Sequence, residues 1–491
     1  MQQLQPPSLL YDARQARALD RFTIDELKVP ALTLMTRAGE AAMRVLQQYW
    51  RGKRRVVFVC GGGNNAGDAY VLARLLNKNA YEVSLIQVGS TAKLSHEAQT
   101  CFDAMRESGI EPHQRWHDLS NADLIIDALF GVGLDREVSG EFANAIQNIN
   151  RAGCPVLSLD VPSGLNSSTG QIMGVAANAD VTVSFMTAKI GLFTGSGPDY
   201  AGQFVLDDLD TPVLAYEKIE PVAQTLTHKR VAALLGARSR TGHKGNHGHA
   251  VIIGGAFGYR GALILAGEAA ARSGAGLVSL IGYADGPELV TMERPELMYR
   301  GISKPEEMSS LLSKASVIAI GPGLGRNDAA MARFATVLQA NKPLVVDADA
   351  LSLLAAEPCA RQNWVLTPHP GEAASLLNCQ VADVQSDRVA AAQEIQSRYG
   401  GAVILKGAGS IIVTNGLPEV LLHGNPGMGS GGMGDVLTGV VAGLIAQGLE
   451  PSAATRLGAC VHGRAADRAA LDGERGLLAR DLMPHIRKLV N

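Results

Sequence analysis

The stretch VVFVCGGGNNAGDAYVLARLL, residues 56–76, decides the fold class. It reads as an apolar strand, a glycine-rich turn and a helix. The strand is apolar without alternation, which is the pattern of a parallel-sheet strand covered on both faces. Glycines after it let the backbone approach a ligand closely, and N–H groups at a helix start favour an anion. The loop is neither G-x-G-x-x-G nor a Walker A motif, because no Lys-Ser/Thr follows the glycines. Outward from this stretch, strands are expected at Arg55–Cys60, Glu82–Val88, Ala122–Leu129, Pro155–Asp160 and Asp180–Phe185. Connecting helices are expected at Leu72–Leu76, Glu97–Glu107 and Glu141–Asn150, and the apolar spacing from Asp12 to Trp50 is helical. The alternation signals βαβ crossovers.

From Asp207 to Thr227 the pattern lapses into prolines and acids with no clear period, so residues 216–227 read as a linker. A second alternating series follows. Its strands are expected at His249–Gly254, Leu277–Gly282, Val317–Ile320, Pro343–Asp347, Trp364–Leu366 and Ala402–Lys406. Helices are expected at Ala262–Arg272, Ala329–Gln339 and Arg388–Tyr399. Short strands at Ile411–Asn415 and Glu419–Leu422 precede a glycine run and a strong helix. The fold class is therefore α/β: a Rossmann-like parallel-sheet domain over 1–215 and a second α/β domain over 228–491.

Composition narrows the function classes. The chain has 491 residues, with 44 Lys and Arg against 47 Asp and Glu, a formal net charge of −3. That balance gives no basic surplus to neutralise phosphates, so neither nucleic acid nor an anionic membrane is an expected partner. Glycine, at 55 residues, is about 11% against a typical ~7%, without a collagen period. The six cysteines are dispersed and none forms a C-x-x-C, which argues against a disulfide scaffold or structural zinc. The N-terminus lacks a secretory pattern, and the longest apolar run, about 436–449, is short of the ~20 residues that span a bilayer. A reduced, cytoplasmic protein is expected.

Chemistry-bearing residues cluster at strand ends. Asn64, Asn65 and Asp68 follow the first glycine loop, where ligands of open α/β folds bind. LIIDALFGVGLDRE puts Asp127 near the end of one strand, and VLSLDVPSGLN puts Asp160 at the end of the next. An oxygen-rich rim of this kind suits a hard cation or acid/base work. The bland reading is that these residues cap helices and loops.

In the second half, NPGMGSGGMGDVLTGVVAGLIAQG (425–448) runs from glycines straight into an apolar helix with Asp435 in its first turn. The loop offers backbone N–H groups to an anion, and such an Asp can take a proton from a hydroxyl attacking a phosphoryl group. VILKGAGSIIVTNG ends a strand with Lys406, VLTPHPGEAASLL adds His369, and VIAIGPGLGRN adds Gly321, Gly323 and Gly325. VVDADAL contributes Asp347 and Asp349 as candidate metal partners.

These motifs resemble two known modules. GGGNNAGD, DALFGVGLDRE and LDVPSGL resemble the N-terminal domain of the YjeF family, over most of residues 12–210. The 425–448 loop looks like the anion hole of the ribokinase-like superfamily. With GHKGNHGHAVIIGG, GPGLG, VVDADAL, TPHPGE and KGAGS it resembles the carbohydrate-kinase-like domain of the same YjeF family, over about 228–491. The resemblance implies a ribokinase-like second domain and a bifunctional repair enzyme. It would be an epimerase of R and S NAD(P)H hydrates joined to an ADP- or ATP-dependent dehydratase of the S form.

By the same resemblance, Asn64, Asn65, Ala66, Gly67 and Asp68 would hold the dinucleotide, with Gly131, Val132, Gly133, Leu134, Asp135, Arg136 and Glu137. Asn65, Asp127 and Ser163 would bind potassium, and Asp160 would bind substrate as the acid/base. Ala262, Gly323, His369 and Asp435 would contact the S hydrate, with Asp435 catalytic. Lys406, Gly407, Ala408, Gly409, Ser410 and Gly434 would contact the nucleotide, which Mg²⁺ accompanies. The implied partners are the small molecules NADHX and NADPHX with ADP or ATP, and a homo-oligomer is expected. The competing reading is a small-molecule kinase with an N-terminal binding or scaffold domain, because the same loop and Asp serve stable phosphorylation.

Overall fold

Strand composition sets the architecture, and the computed structural model describes residues 7–113, 116–284 and 293–491 of it. The chain divides into two units, Met1–Thr225 and Leu226–Asn491. In chain order the first holds β1 (Leu9–Tyr11), β2 (Arg55–Cys60), β3 (Glu82–Gln87), β4 (Leu124–Ala128), β5 (Val156–Leu159), β6 (Val181–Phe185), β7 (Ala188–Lys189), β8 (Gln203–Asp207) and β9 (Ala223–Leu226). Six of these form a sheet in the order β3-β2-β4-β5-β6-β8, every pair parallel. Along β2, Val56 and Phe58 pack with the helices Ala31–Tyr49 and Asn64–Lys78, while Val57 and Val59 face Ile146 and Ile149 of Gly140–Arg151. Both faces are covered, as the unbroken apolar strands require.

The order of this sheet reverses between β2 and β4. The chain leaves β2 toward β3 on one side and returns to β4 on the other, so the loops after β2 and β4 diverge and leave a crevice at the carboxyl edge. At its base the two loops press together: a Cβ on Gly61 would overlap the carbonyl oxygen of Leu129.

The second unit repeats the device with β10 (His249–Ile253), β11 (Leu277–Tyr283), β12 (Met298–Ile302), β13 (Val317–Ile320), β14 (Leu344–Val346), β15 (Trp364–Leu366) and β16 (Ala402–Leu405). They run in the order β12-β11-β10-β13-β14-β15-β16, all parallel, followed by the antiparallel β17 (Ile411–Val413) and β18 (Glu419–Leu421). Here the reversal falls between β10 and β13. Ala250 and Ile252 pack under the helices Arg260–Ser273 and Met433–Ala446, and Val251 and Ile253 on the other face are equally buried.

Three differences from the sequence reading have physical reasons. The N-terminal helical stretch is two helices, Ala13–Asp25 and Ala31–Tyr49, because Pro30 takes an extended ψ of 134° and disfavours helix in the residue before it. The helix expected at Leu72–Leu76 starts at Asn64, its first turn disguised by small and polar residues. The segment read as a linker contains the end of the helix Val213–Lys218 and strand β9, which pairs antiparallel with β1 through Leu10 and Ala223. β9 is four residues without alternation, too little to set it apart from a linker. Among the described residues, no helix is long and apolar enough to cross a membrane.

Glycines set the closeness of the helix pair in the second unit. Gly439 faces the Arg260–Ser273 helix so closely that a Cβ would overlap the carbonyl oxygen of Ala266 and lie 2.7 Å from Ala269 Cβ. Gly439→Ala is expected to destabilise this unit by about 1–3 kcal/mol, the cost of overpacking a filled core. Thermal unfolding checks it: an unchanged Tm would show that the helices can separate freely.

Candidate active sites

The first crevice is a cavity of about 700 Å³, and residues at the carboxyl ends of β2, β3, β4, β5 and β6 line it. Asn64, Asn65 and Asp68 come from the start of the helix after β2. Gly131, Val132, Gly133, Leu134 and Arg136 come from the loop after β4, and Asp160 follows β5. Ala66 and Gly67 instead face the interior, where a Cβ on Gly67 would come 2.5 Å from Met35 Sδ. Asp135 and Glu137 are exposed and do not line the cavity.

A hydrogen-bond network ties these strand ends together. Asn65 Nδ2 donates to the carbonyls of Phe130 (2.8 Å) and Leu159 (3.0 Å), while its Oδ1 is buried without a hydrogen-bond partner. Phe130 N donates to Ser163 Oγ at 2.9 Å. Asp127, fully buried, accepts from Ser158 Oγ and Ser163 N, both at 2.8 Å. Burial raises the Asp127 carboxyl, and the bonds from Ser163 and Ser158 oppose that rise. Three strand ends are thus joined around amide, hydroxyl and carboxylate oxygens, a donor set suited to a hard cation.

The same cavity is lined by a charge cluster of Asp20, Asp68, Asp160 and Lys189. Asp160 sits at a φ of +64°, a left-handed conformation that a non-glycine residue adopts only under constraint. Its Oδ1 is paired with Lys189 Nζ, which also donates to Phe185 O (2.8 Å) and Ser184 Oγ (3.2 Å). Lys189 is 2% exposed. Burial, together with the nearby carboxylates of Asp160 and Asp20, holds the Asp68 carboxyl well above its ordinary range. Asp20 is raised for the same leading reason, burial. The cluster sets a lysine-paired Asp160 near a carboxyl, Asp68, that favours its protonated form, an arrangement suited to acid/base work.

The second crevice gathers around Lys406, at the end of β16. Lys406 Nζ lies 2.8 Å from Asp347 Oδ1 and 3.7 Å from Glu372 Oε2, and Asp347 Oδ2 accepts from Thr438 Oγ1 at 2.7 Å. Burial pulls the ammonium down, but Asp347 and Glu372 together hold it above its usual value. A Cβ on Gly434 would lie 3.3 Å from Lys406 Nζ, so the ammonium sits under the first turn of the helix Met433–Ala446. In that turn, burial pushes Asp435 up to about 7, with Asp347 adding to the rise and Lys406 opposing it. Gly407, Ala408, Gly409 and Ser410 form the turn after Lys406, closed by Ser410 Oγ on Gly407 O at 3.0 Å. Gly323 lies across the switch point, its carbonyl accepting from Ala256 N at 2.6 Å, and Ala262 occupies the first turn of Arg260–Ser273.

Two candidates have structural work to do. His369 caps the helix Pro370–Leu377, its Nδ1 accepting from Gly371 N (3.0 Å) and Glu372 N (3.3 Å), although its side chain stays 55% exposed. Asp349, read as a metal partner, accepts from Gly325 N (2.9 Å) and Arg326 Nε (3.0 Å) and fastens the loop after β13. Among the described residues no group of three or more His, Cys, Asp or Glu is arranged to hold a metal ion.

Residues 250–488 match the family described as NAD(P)H-hydrate dehydratase, and residues 31–191 match the YjeF-related protein N-terminus. The chain is 42% identical to the bifunctional NAD(P)H-hydrate repair enzyme of Coxiella burnetii, over 99% of this chain and 100% of that protein. It belongs to this family of bifunctional repair enzymes. The Escherichia coli member is 39% identical, over 99% of this chain and 94% of its own length. A ribokinase-like superfamily protein of Enterococcus faecalis is a structural neighbour at a TM-score of 0.50 and 30% identity, covering 54% of this chain and 94% of that one. As a member of the repair-enzyme family the chain joins a lyase module to an isomerase module.

Sequence reading missed Lys189, Asp20, Glu372 and Thr438. A lysine beside a strand and an aspartate on an amphipathic helix look like surface residues, and only the fold turns them inward. Removing the ammonium should expose how much the cluster depends on it. Lys189→Met is expected to destabilise the first unit by on the order of 2–4 kcal/mol, toward the lower end for a broken buried pair because Asp160 borders a cavity. Denaturant unfolding measures this, and an unchanged midpoint would show that the cluster does not need its cation.

Proposed function

We propose that the first unit epimerises the R and S forms of NAD(P)H hydrate and that the second dehydrates the S form to NAD(P)H at the expense of ADP, with ATP as the alternative co-substrate. AMP and phosphate would be the other products. The observation that carries the proposal is the pairing, in one chain, of an acid/base cluster at Asp160 with a proton acceptor at Asp435 beside Lys406 and a glycine-rich helix start.

In the first site C6 of the damaged ring bears both a hydroxyl and the ring nitrogen. Its configuration can invert through a cationic or ring-opened intermediate, and a carboxylate at Asp160 stabilises that charge and moves protons. Lys189 pairs with Asp160 and holds it in place. Asn64–Asp68 and Gly131–Glu137 would hold the dinucleotide, with Ala66, Gly67, Asp135 and Glu137 in supporting rather than lining positions. The orphaned Asn65 Oδ1, with Asp127 and Ser163 close by, fits a potassium ion. Such an ion would supply positive charge at the strand ends.

In the second site the poor leaving group is hydroxide. Asp435 takes the proton of the C6 hydroxyl as its oxygen attacks the terminal phosphorus of the nucleotide, and the nucleotide leaves one phosphate shorter. Phosphate then departs from C6, pushed by the ring nitrogen, and loss of a C5 proton restores the dihydropyridine. Lys406 and the backbone N–H groups around Gly407, Ala408, Gly409, Ser410 and Gly434 balance phosphate charge, while Ala262, Gly323 and His369 border the hydrate. Mg²⁺ keeps several waters and is held largely by phosphates, so it would arrive with the nucleotide.

The assignment of separate sites is tested with purified hydrates. Asp435→Asn should lower dehydration by on the order of 10²–10⁴, the range for a lost general base, and leave epimerisation intact. Asp160→Asn should slow interconversion and spare dehydration of the S form. If each variant lowered both activities equally, the two-site reading would be wrong. With its carboxyl at about 7, Asp435 is a base above that pH and a neutral acid below it, so dehydration should fall as pH drops through about 7. A rate flat from pH 6 to 8 would exclude Asp435 as the group that titrates.

A further inference from the structure

Five of the nine residues from Gly424 to Gly432 in the anion-binding loop are glycines, so few side chains hold its shape from within. Backbone donors that stabilise a phosphoryl group must nevertheless be fixed to within roughly 0.5 Å of their working positions. The structure shows what fixes them. The helix Pro451–Ala469 runs behind the loop and touches it at both ends.

At the entry, Asp467 accepts hydrogen bonds from Gly424 N (3.0 Å) and Asn425 Nδ2 (3.3 Å), and its other oxygen lies 3.2 Å from His423 Nδ1. Asn425 passes the constraint on, its Oδ1 accepting from Gly427 N at 3.0 Å. Four residues earlier on the same helix, Gly463 lies against the backbone of His423, where a Cβ would come 2.9 Å from the carbonyl oxygen. At the exit, His462 reaches the backbone of Met433, the first residue of the helix that carries Asp435. His462 is 7% exposed, and its Nε2 is buried without a hydrogen-bond partner. Burial pulls this imidazole down to about 4, so the ring is neutral at physiological pH and adds no charge to the phosphate site.

We infer that Asp467 and His462 are positioning residues for dehydration, a two-point clamp on one helix that sets the span of the anion-binding loop and the place of Asp435. Neither touches the reacting atoms. Their effect passes through the backbone amides they fasten. The inference rests on the nucleotide-site reading above and adds to it the part of the chain that holds the site in shape.

The test uses the full-length chain with ADP–Mg²⁺ and ATP–Mg²⁺ as binding probes, turnover of the S hydrate, and epimerisation on the same molecule as the internal control. Asp467→Ala is expected to weaken nucleotide binding and raise its KM by about tenfold or more, with a smaller loss in kcat, because misplaced donors cost affinity and rate together. Epimerisation should stay at its wild-type rate. Asp467→Asn should recover most of the loss, since its amide oxygen can still accept from Gly424 and Asn425. A purely structural role would lower Tm and leave KM and binding unchanged, and that result overturns the inference. If Asp467→Ala does not fold, Gly463→Ala decides, because its Cβ pushes the loop entry directly. Weakened nucleotide binding then supports the clamp, and wild-type binding overturns it. Should the wild-type chain bind neither nucleotide, the nucleotide-site reading itself falls, which is a different result from a wild type that binds and a variant that binds equally well.

Discussion

A parallel sheet whose strand order reverses must leave two loops diverging at its carboxyl edge, and both units are organised around that constraint. In the first the reversal lies between β2 and β4, in the second between β10 and β13. Everything chemical is then a matter of which residues those loops and their neighbours carry. Gly61 against Leu129 in one unit, and the carbonyl of Gly323 bonded to Ala256 in the other, show how tightly the crevice floors are drawn. Part of the chain's glycine content serves this close backbone approach.

Each crevice also solves the same electrostatic problem. A lysine ammonium is taken largely out of water, pinned by an aspartate, and set near a second carboxyl whose proton is held more tightly than usual. Lys189 pairs with Asp160 beside Asp68, and Lys406 pairs with Asp347 beside Asp435. An unpaired buried charge of either sign would cost several kcal/mol, and each ion pair avoids that cost. In the second crevice that carboxyl, Asp435 at about 7, is the group able to exchange a proton near neutral pH. The two modules differ in what surrounds that group, oxygens suited to a cation in one and amides suited to phosphate in the other.

Much of this was legible in the residues because the strongest signals are local. The unbroken apolar run at Arg55–Cys60, the glycines leading into Asp435 and the strand-end position of Asp160 each state their structure within a few residues. What stayed hidden depends on long-range placement. Lys189 looks like a surface lysine until β7 carries it under Asp160. β9 is four residues without a period, and its pairing with β1 joins positions more than two hundred residues apart. Asp349 has the strand-end position of a metal ligand, yet the Gly325 amide and Arg326 claim it first. His369 caps a helix, a role any sequence reading must weigh against substrate contact.

The claim that one chain carries two cooperating activities is tested most directly by giving it a racemic NADH hydrate with K⁺, Mg²⁺ and ADP and following the dihydronicotinamide absorbance band. Complete recovery is the result this account predicts, because epimerisation keeps replenishing the S form as dehydration removes it. Recovery that stops when the initial S form is exhausted, with the R form persisting, would contradict it.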